Sequence, residues 1–459
     1  MAKNQNPPLT PGEECEVKIR DLNHRGEGVG KKDGFALFVP RTLPGESARV
    51  AIKNVRKNYA EAELLTITGP SEDRVEPPCP YFPTCGGCQL LHLAYKEQLS
   101  WKQQRVKETL QRIAGIKPEI KPVLGMEEPR HYRNKADIHL ELSGGRVKSG
   151  FFAPYSRSVV DINYCLVQHP SNNDLLNAVS KTMLEYSDHE PGLQGIEGLP
   201  FSRVIIRSSF GTGESLLVFT GPGINKSGNF SGQNHRLQKL ADMICARAGT
   251  PPAGIVFLPE EQTSSKQVVL TGRDYLEEMV GPFTFRISPR SFFQVNTAQA
   301  EVLYEQALSL SGSPCTAFDL YCGTGNFALY LAEKAEHVTG IDSDASAIKD
   351  AEENARLNKA GNIKFVTGRA EKKPELLQQG SFPKTIFLNP PRTGCSPDLL
   401  EAVSRAAPER VVYVSCNPAT LARDLKILAQ HGYRACEVRP VDMFPHTSHV
   451  ECIVLIEKL

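Results

Sequence analysis

The chain lacks a net charge of either sign: its 459 residues hold 53 Lys+Arg against 52 Asp+Glu, a formal balance of +1. Taken whole, that balance speaks against a polyanionic partner. No stretch approaches the roughly 18 consecutive apolar residues of a membrane span, which excludes a helical membrane protein. The N-terminus, Met1 to Glu14, is polar, carries three prolines and has no apolar h-region, so no secretion signal is read there. No tandem repeat or low-complexity tract is present, which excludes solenoids. The expectation is a soluble, cytoplasmic, monomeric chain, and 40% hydrophobic content is enough for cores in about three domains. Twelve cysteines are present. Without a secretion signal they point to metal, cluster or catalytic thiols rather than to disulfides.

The near-zero charge is unevenly spread. Residues 1–160 hold 25 Lys+Arg and 19 Asp+Glu, a balance of +6, and residues 161–459 hold 28 and 33, a balance of −5. Lys31-Lys32, Arg56-Lys57 and Arg130-His131-Tyr132-Arg133-Asn134-Lys135 set cations beside turn residues or aromatics. Nucleic-acid surfaces use that mixture, although each cluster alone is equally a solvated face.

Three parts follow one another along the chain. From 8 to 70, short alternating runs such as Cys15–Ile19, Phe35–Val39 and Arg49–Ile52 are separated by Gly and Pro turns, the pattern of a barrel of about five strands. The glycine-rich Asn23–Gly30 has no helix after it, leaving a hairpin needing positive φ or an RNA contact. From 71 to 285, after Glu76-Pro77-Pro78, come a cysteine cluster, an amphipathic helix from about Leu93 to Ile113, and strands at Arg203–Arg207, Ser215–Phe219 and Gln267–Leu270. From 286 to 459, short apolar runs alternate with helical patterns, which implies an α/β fold with a parallel sheet covered on both faces. Ligands in such sheets lie beyond the carboxyl ends of the strands.

The residues after those runs carry the chemistry. Asp319-Leu320-Tyr321-Cys322-Gly323-Thr324-Gly325-Asn326-Phe327 is a strand-to-helix turn whose glycines admit close backbone approach, but the dinucleotide fingerprint is absent. Asp342 follows the next run, where a carboxylate meets ribose hydroxyls in nucleotide-type folds. Asn389-Pro390-Pro391-Arg392 follows the fourth run and Ser415-Cys416-Asn417-Pro418 the fifth. A thiol at such a strand end is placed for nucleophilic work, or is a buried small hydrophobe. His446, His449 and Glu451 form a weak metal-ligand pattern, which is set aside.

Ser415–Asp424, Phe444–Glu451, Asp319–Phe327 and Ser291–Asn296 resemble the signatures of the RNA uracil-5-methyltransferases, which form 5-methyluridine, and the four together are far more specific than any one. The first 70 residues resemble the TRAM barrel of that family. The resemblance implies a Rossmann-like class I methyltransferase domain, an N-terminal OB-like barrel that binds RNA, and a central α+β domain with an iron-sulfur site. It implies S-adenosylmethionine contacts at Gln294, Tyr321, Asn326 and Asp342, with Asn389 where the family usually has Asp. Cys416 is then the nucleophile that adds to uracil C6, because C5 alone is too weak a nucleophile to take the methyl group. Glu451 is then the base that removes the C5 proton. The target base leaves its stack, and Phe292 is the aromatic expected against it.

Cys79, Cys85, Cys88 and the distant Cys165 suit a [4Fe–4S] cluster or a tetrahedral zinc, and the resemblance favours iron. Cys322 is a decoy within the glycine turn. The expected substrate is 23S ribosomal RNA, with tRNA uracil-54 as the alternative. An exocyclic-amino methyltransferase, suggested by Asn-Pro-Pro, would leave Cys416 unexplained. A non-catalytic RNA-binding protein on the same scaffold is the third reading.

Overall fold

The computed structural model describes residues 8–143, 146–189, 201–221, 231–260 and 267–459, so Met1–Pro7 of the polar N-terminus lie outside the described residues. β1 (Glu14–Leu22), β2 (Gly28–Lys32), β3 (Phe35–Val39), β4 (Ser47–Val55) and β5 (Tyr59–Gly69) close into a barrel in the order β1-β2-β3-β5-β4. Alternation drives the closure: Val17, Ile19, Leu37, Val39, Val50 and Ile52 point inward and are buried. Of the glycine-rich segment, Gly26 holds φ +77° at the turn. Gly28 and Gly30 instead serve packing, since an added Cβ would lie 2.0 Å from Thr42 Oγ1 and 2.3 Å from Val17 Cγ2.

α1 (Tyr95–Thr109) runs into a π-helical turn at Leu110–Ala114, ended by Gly115 at φ +72°. Its buried stripe is Gln98, Lys102 and Val106, continued by Leu110. A helix expected to bury an apolar face therefore buries an amide and an ammonium. After it, β6 (Glu119–Ile120) pairs with the edge of the catalytic sheet.

The central body is a seven-stranded sheet. β7 (Lys135–Ser143), β8 (Arg146–Phe152) and β9 (Val159–Asp161) precede α2 (Pro170–His189), then β10 (Arg203–Ser208) and β11 (Ser215–Gly221) precede α3 (Ser231–Arg247), and β12 (Gly254–Pro259) and β13 (Val268–Gly272) finish it. The strand order is β13-β12-β11-β10-β7-β8-β9, with β11 and β12 parallel and the other neighbours antiparallel. Side chains of α2 and α3, including Leu176, Val179, Leu237 and Ile244, share a core with Ile138, Val204, Leu217 and Phe257 of the sheet. Each such buried side chain contributes about 1.5–3 kcal/mol.

A hairpin of β14 (Leu276–Val280) and β15 (Phe283–Ile287) crosses residue 285 and packs into the core of the catalytic body. That body comprises α4 (Thr297–Leu310), β16 (Thr316–Leu320), α5 (Asn326–Ala332), β17 (His337–Asp342), α6 (Ala345–Leu357), β18 (Ile363–Thr367), α7 (Pro374–Leu377), β19 (Lys384–Leu388), α8 (Pro397–Ala406), β20 (Arg410–Ser415), α9 (Pro418–Gln430), β21 (Tyr433–Val441) and β22 (Glu451–Lys458). Its sheet runs β18-β17-β16-β19-β20-β22-β21-β6. One apolar core lies on each face. The sheet is not wholly parallel: β22 enters antiparallel between β20 and β21. β21 escaped the sequence reading because Glu437, Arg439 and Pro440 interrupt its apolar pattern.

Candidate active site

Strand order reverses between β16 and β19, and the crevice outside their carboxyl ends is where a ligand of such a sheet lies. Leu320 and Leu388 pair at that end, and the Asn389 amide donates to the Leu320 carbonyl at 3.3 Å. Asn389 thus sits beside Tyr321, a non-glycine residue at φ +65° whose side chain meets the Cys395 thiol. Gly323 holds φ +54° with open space where a Cβ would be, which leaves a cradle over the turn. Asp342 pins that turn: one oxygen accepts from Gly323 N at 2.9 Å and the other from Asp344 N at 2.9 Å. Each oxygen keeps a further lone pair for a ligand hydroxyl. Asn326 opens α5, accepts from Thr324 Oγ1 at 2.8 Å and donates to the Tyr304 hydroxyl at 2.7 Å.

Beneath the turn, Asp319 is fully buried, and neither oxygen has a hydrogen-bond partner of normal geometry among the described residues. Burial lifts its carboxyl to about 8, opposed by the Ala328 amide and reinforced by Asp342. Gln294 is buried on the loop before α4, its carbonyl accepting from Asn134 Nδ2 at 2.9 Å. Asn134 and Tyr132 alternate inward from the block 130–135, so that block is no simple solvated face. Phe292, two residues from Gln294, is 70% exposed, an unusual position for a phenylalanine.

Cys416 follows β20 and precedes α9, whose N-cap Asn417 accepts from Ala419 N at 3.1 Å. The Asn417 amide also donates to the Arg392 carbonyl at 3.1 Å, and the Thr420 hydroxyl does so at 3.3 Å. These bonds tie the loop after β19 to the thiol. On the other side, Ser415 pairs with Cys452 in the β20–β22 ladder. That pair is the last of the ladder, with Cys416 following Ser415 and Glu451 preceding Cys452 just beyond it. Burial pushes the Cys416 thiol up, the Glu451 charge adds to this, and Arg392 lowers it. Glu451 is buried and held up to about 8 by loss of water, with Arg392 again opposing. The structure therefore brings together Cys416, Glu451 and Arg392. The sequence analysis gives Arg392 no role; its position directly after Asn389-Pro390-Pro391, at a carboxyl end, is the available signal. Tyr304, which links Asn326 electrostatically to Asp319 and Glu451, gave no signal from a helix interior.

His446 and His449 turn to different partners. His446 Nδ1 lies 3.2 Å from Gln98 Nε2, and the His449 ring meets Phe444. Cys322 is buried and its thiol is pushed well up by burial. Cys79, Cys85, Cys88 and Cys165 line one cavity of about 340 Å³ with Tyr81 and Tyr132. Burial raises Cys88 and Cys85, and lifts Cys165 to about 11; the neighbouring thiols add to each shift. Among the described residues, no group of three or more His, Cys, Asp or Glu is set as the ligands of a metal ion. No described helix is long and apolar enough to cross a membrane.

A family model described as tRNA (Uracil-5-)-methyltransferase matches residues 261–459, and one described as TRAM domain matches residues 8–65. An uncharacterized RNA methyltransferase of Clostridium tetani is 38% identical, covering 98% of this chain and 97% of its own. Another from Halalkalibacterium halodurans is 39% identical, covering 100% and 99%. Among solved structures, the Pyrococcus abyssi tRNA (uracil-54, C5)-methyltransferase in complex with S-adenosyl-L-homocysteine matches with a TM-score of 0.70 at 26% identity, over 96% of this chain and 100% of that one. The barrel, the methyltransferase sheet order and whole-chain identity agree, and the chain belongs to the RNA uracil-5-methyltransferase family.

Proposed function

We propose that this chain methylates C5 of a uridine in RNA, 23S ribosomal RNA by preference, through a covalent adduct on Cys416. The observation that carries the reading is the electrostatic meeting of the Cys416 thiol, just past the Ser415–Cys452 pair that ends the β20–β22 ladder, with the buried Glu451 carboxyl, Arg392 favouring the anion of both. When bound, S-adenosylmethionine supplies an electrophilic methyl group. The Cys416 thiolate would add to C6 of the uracil, and the electron pair released to C5 would take that methyl group as its bond to sulfur breaks and S-adenosylhomocysteine leaves. Glu451 then accepts the C5 proton, and elimination returns the thiolate. Phe292, exposed beside the buried Gln294, would face the extruded base. Gln294, Tyr321, Asn326, Asp342 and Asn389 would hold the cofactor, an assignment that the open cradle at Gly323 and the spare lone pairs of Asp342 support. Asn389 brings no charge to that task.

The segments act as barrel for RNA grip (8–70), central support (71–285) and catalytic unit (286–459), in a monomer. Cys79, Cys85, Cys88 and Cys165 would hold a [4Fe–4S] cluster. Four thiols on one cavity of about 340 Å³ have room for a multi-atom cluster, more than a tetrahedral zinc needs. Iron and labile-sulfide analysis of the purified protein tests this; stoichiometric zinc without sulfide would reject it.

RNA containing 5-fluorouridine tests the chemistry, because fluorine blocks the final proton removal. A denaturation-resistant adduct is expected, lost in Cys416→Ala and kept in Cys322→Ala; an adduct surviving Cys416→Ala would sink the mechanism. The Pyrococcus abyssi relative makes tRNA the second reading. Mapping 5-methyluridine in ribosomal and transfer RNA of a strain lacking the gene decides between them.

A further inference from the structure

We propose that Gln98 is a positioning residue through which the cysteine loop holds the segment that presents Glu451. The inference rests on Glu451 as the base. The segment from Asp442 to Glu451 is gripped from outside the catalytic body: Lys102 donates to Asp442 at 2.6 Å and to the Phe444 carbonyl at 3.1 Å, and the Tyr132 hydroxyl donates to the Pro445 carbonyl at 3.1 Å. His446 stands at the centre of this grip with φ +65°, a conformation that only its surroundings can hold in a residue bearing a Cβ.

Two partners meet at His446. The amides of Gln89 and Leu90, the two residues after Cys88, both donate to its carbonyl, at 3.0 and 2.9 Å. The Gln98 side chain, 1% exposed, binds both sides of the junction. Its Oε1 accepts from His446 N at 2.9 Å, and its Nε2 donates to the Leu90 and Leu93 carbonyls at 3.1 and 2.8 Å while lying 3.2 Å from His446 Nδ1. One carboxamide thus supplies an acceptor to the catalytic segment and a donor to the cysteine loop, a pairing that neither a carboxylate nor a thioether reproduces. A displacement of Cys88 reaches Glu451 through two residues of loop, this junction and the short stretch from Thr447 to Val450.

Glu451 acts only after methyl transfer, so a misplaced segment slows elimination and spares the earlier steps. Gln98→Met with ordinary uridine RNA is expected to accumulate the methylated Cys416 adduct, with kcat down roughly a hundredfold. The KM for S-adenosylmethionine and the affinity for S-adenosylhomocysteine should stay as in the unaltered protein. Normal turnover without adduct would overturn the proposal, and so would joint loss of cofactor binding and adduct formation. Cys88→Ser supplies a second readout: amide hydrogen exchange at 446–451 should quicken while S-adenosylhomocysteine still binds, and unchanged exchange there overturns the proposal. If the unaltered protein forms no adduct with 5-fluorouridine RNA, the uracil reading fails before Gln98 is reached.

Discussion

Arg392 sits where two anions are needed. In the proposed mechanism Cys416 ionises to attack and Glu451 ionises to accept a proton, yet burial opposes both, and the Arg392 guanidinium favours both. Turnover is therefore expected to rise with pH, its ascending limb at or above about 8. Arg392→Gln should move that limb to higher pH in a kcat/KM profile; a limb that stays put would show that the cation does not act on these groups. Stability runs the opposite way. Because the folded Glu451 carboxyl is raised from 4.5 to about 8, its contribution is complete below about pH 4.5 and is lost as pH rises through 8. Glu451→Gln should flatten that loss in urea titrations across the window, while abolishing efficient release of product. Cys416 was legible because it follows a strand. Glu451 opens one, and the carboxyl-end rule cannot see a residue at the start of an antiparallel strand; only the motif resemblance marks it.

At the scale of elements, α1 is the piece that sequence periodicity describes least well. A helix was legible there, but its buried stripe begins polar, because Gln98 and Lys102 bond the 442–446 loop before Val106 and Leu110 enter the apolar core. The Lys102–Asp442 pair is fully buried at 2.6 Å, with Tyr95 donating to the other oxygen of Asp442 at 2.9 Å. Lys102→Met strands that carboxylate and should destabilise the fold by about 3–5 kcal/mol. Lys102→Met combined with Asp442→Asn should recover part of this in equilibrium unfolding; a double variant as unstable as the sum would remove the pair from the account. The same logic explains what the sheet concealed. β16, β17, β19 and β20 announce themselves as buried apolar runs, whereas β21 lies toward the edge next to the two-residue β6 and mixes charges into its pattern.

Across the whole molecule, charge is sorted by position. A groove of about 870 Å³ runs from Arg25, Arg41, Lys53 and Arg56 of the barrel, with Glu27, Glu61 and Glu63 among them, past Gln89 to Ser448 and His449. RNA bound along it should weaken steeply with added salt, whereas S-adenosylhomocysteine, held within the sheet crevice, should not. Isothermal titration at two ionic strengths checks this, and equal salt slopes for both ligands would reject the groove as a phosphate track. The basic balance of the first 160 residues was readable from composition, but their route to the catalytic segment was not: it depends on contacts between residues hundreds of positions apart.

Those separations bear on how the chain is made. Gln98 and Lys102 leave the ribosome about 340 residues before the Asp442 and His446 that satisfy them. During most of synthesis α1 therefore carries an ammonium without its carboxylate and a Gln98 carbonyl without its His446 N–H on the face it will bury, and cannot dock for good. β22 then has to slot between β20 and β21 as it brings Glu451 into place. A nascent chain halted before Asp442 lacks both the base and the partner of α1, so translation itself would keep an incomplete methyltransferase silent until the segment that closes the site has emerged.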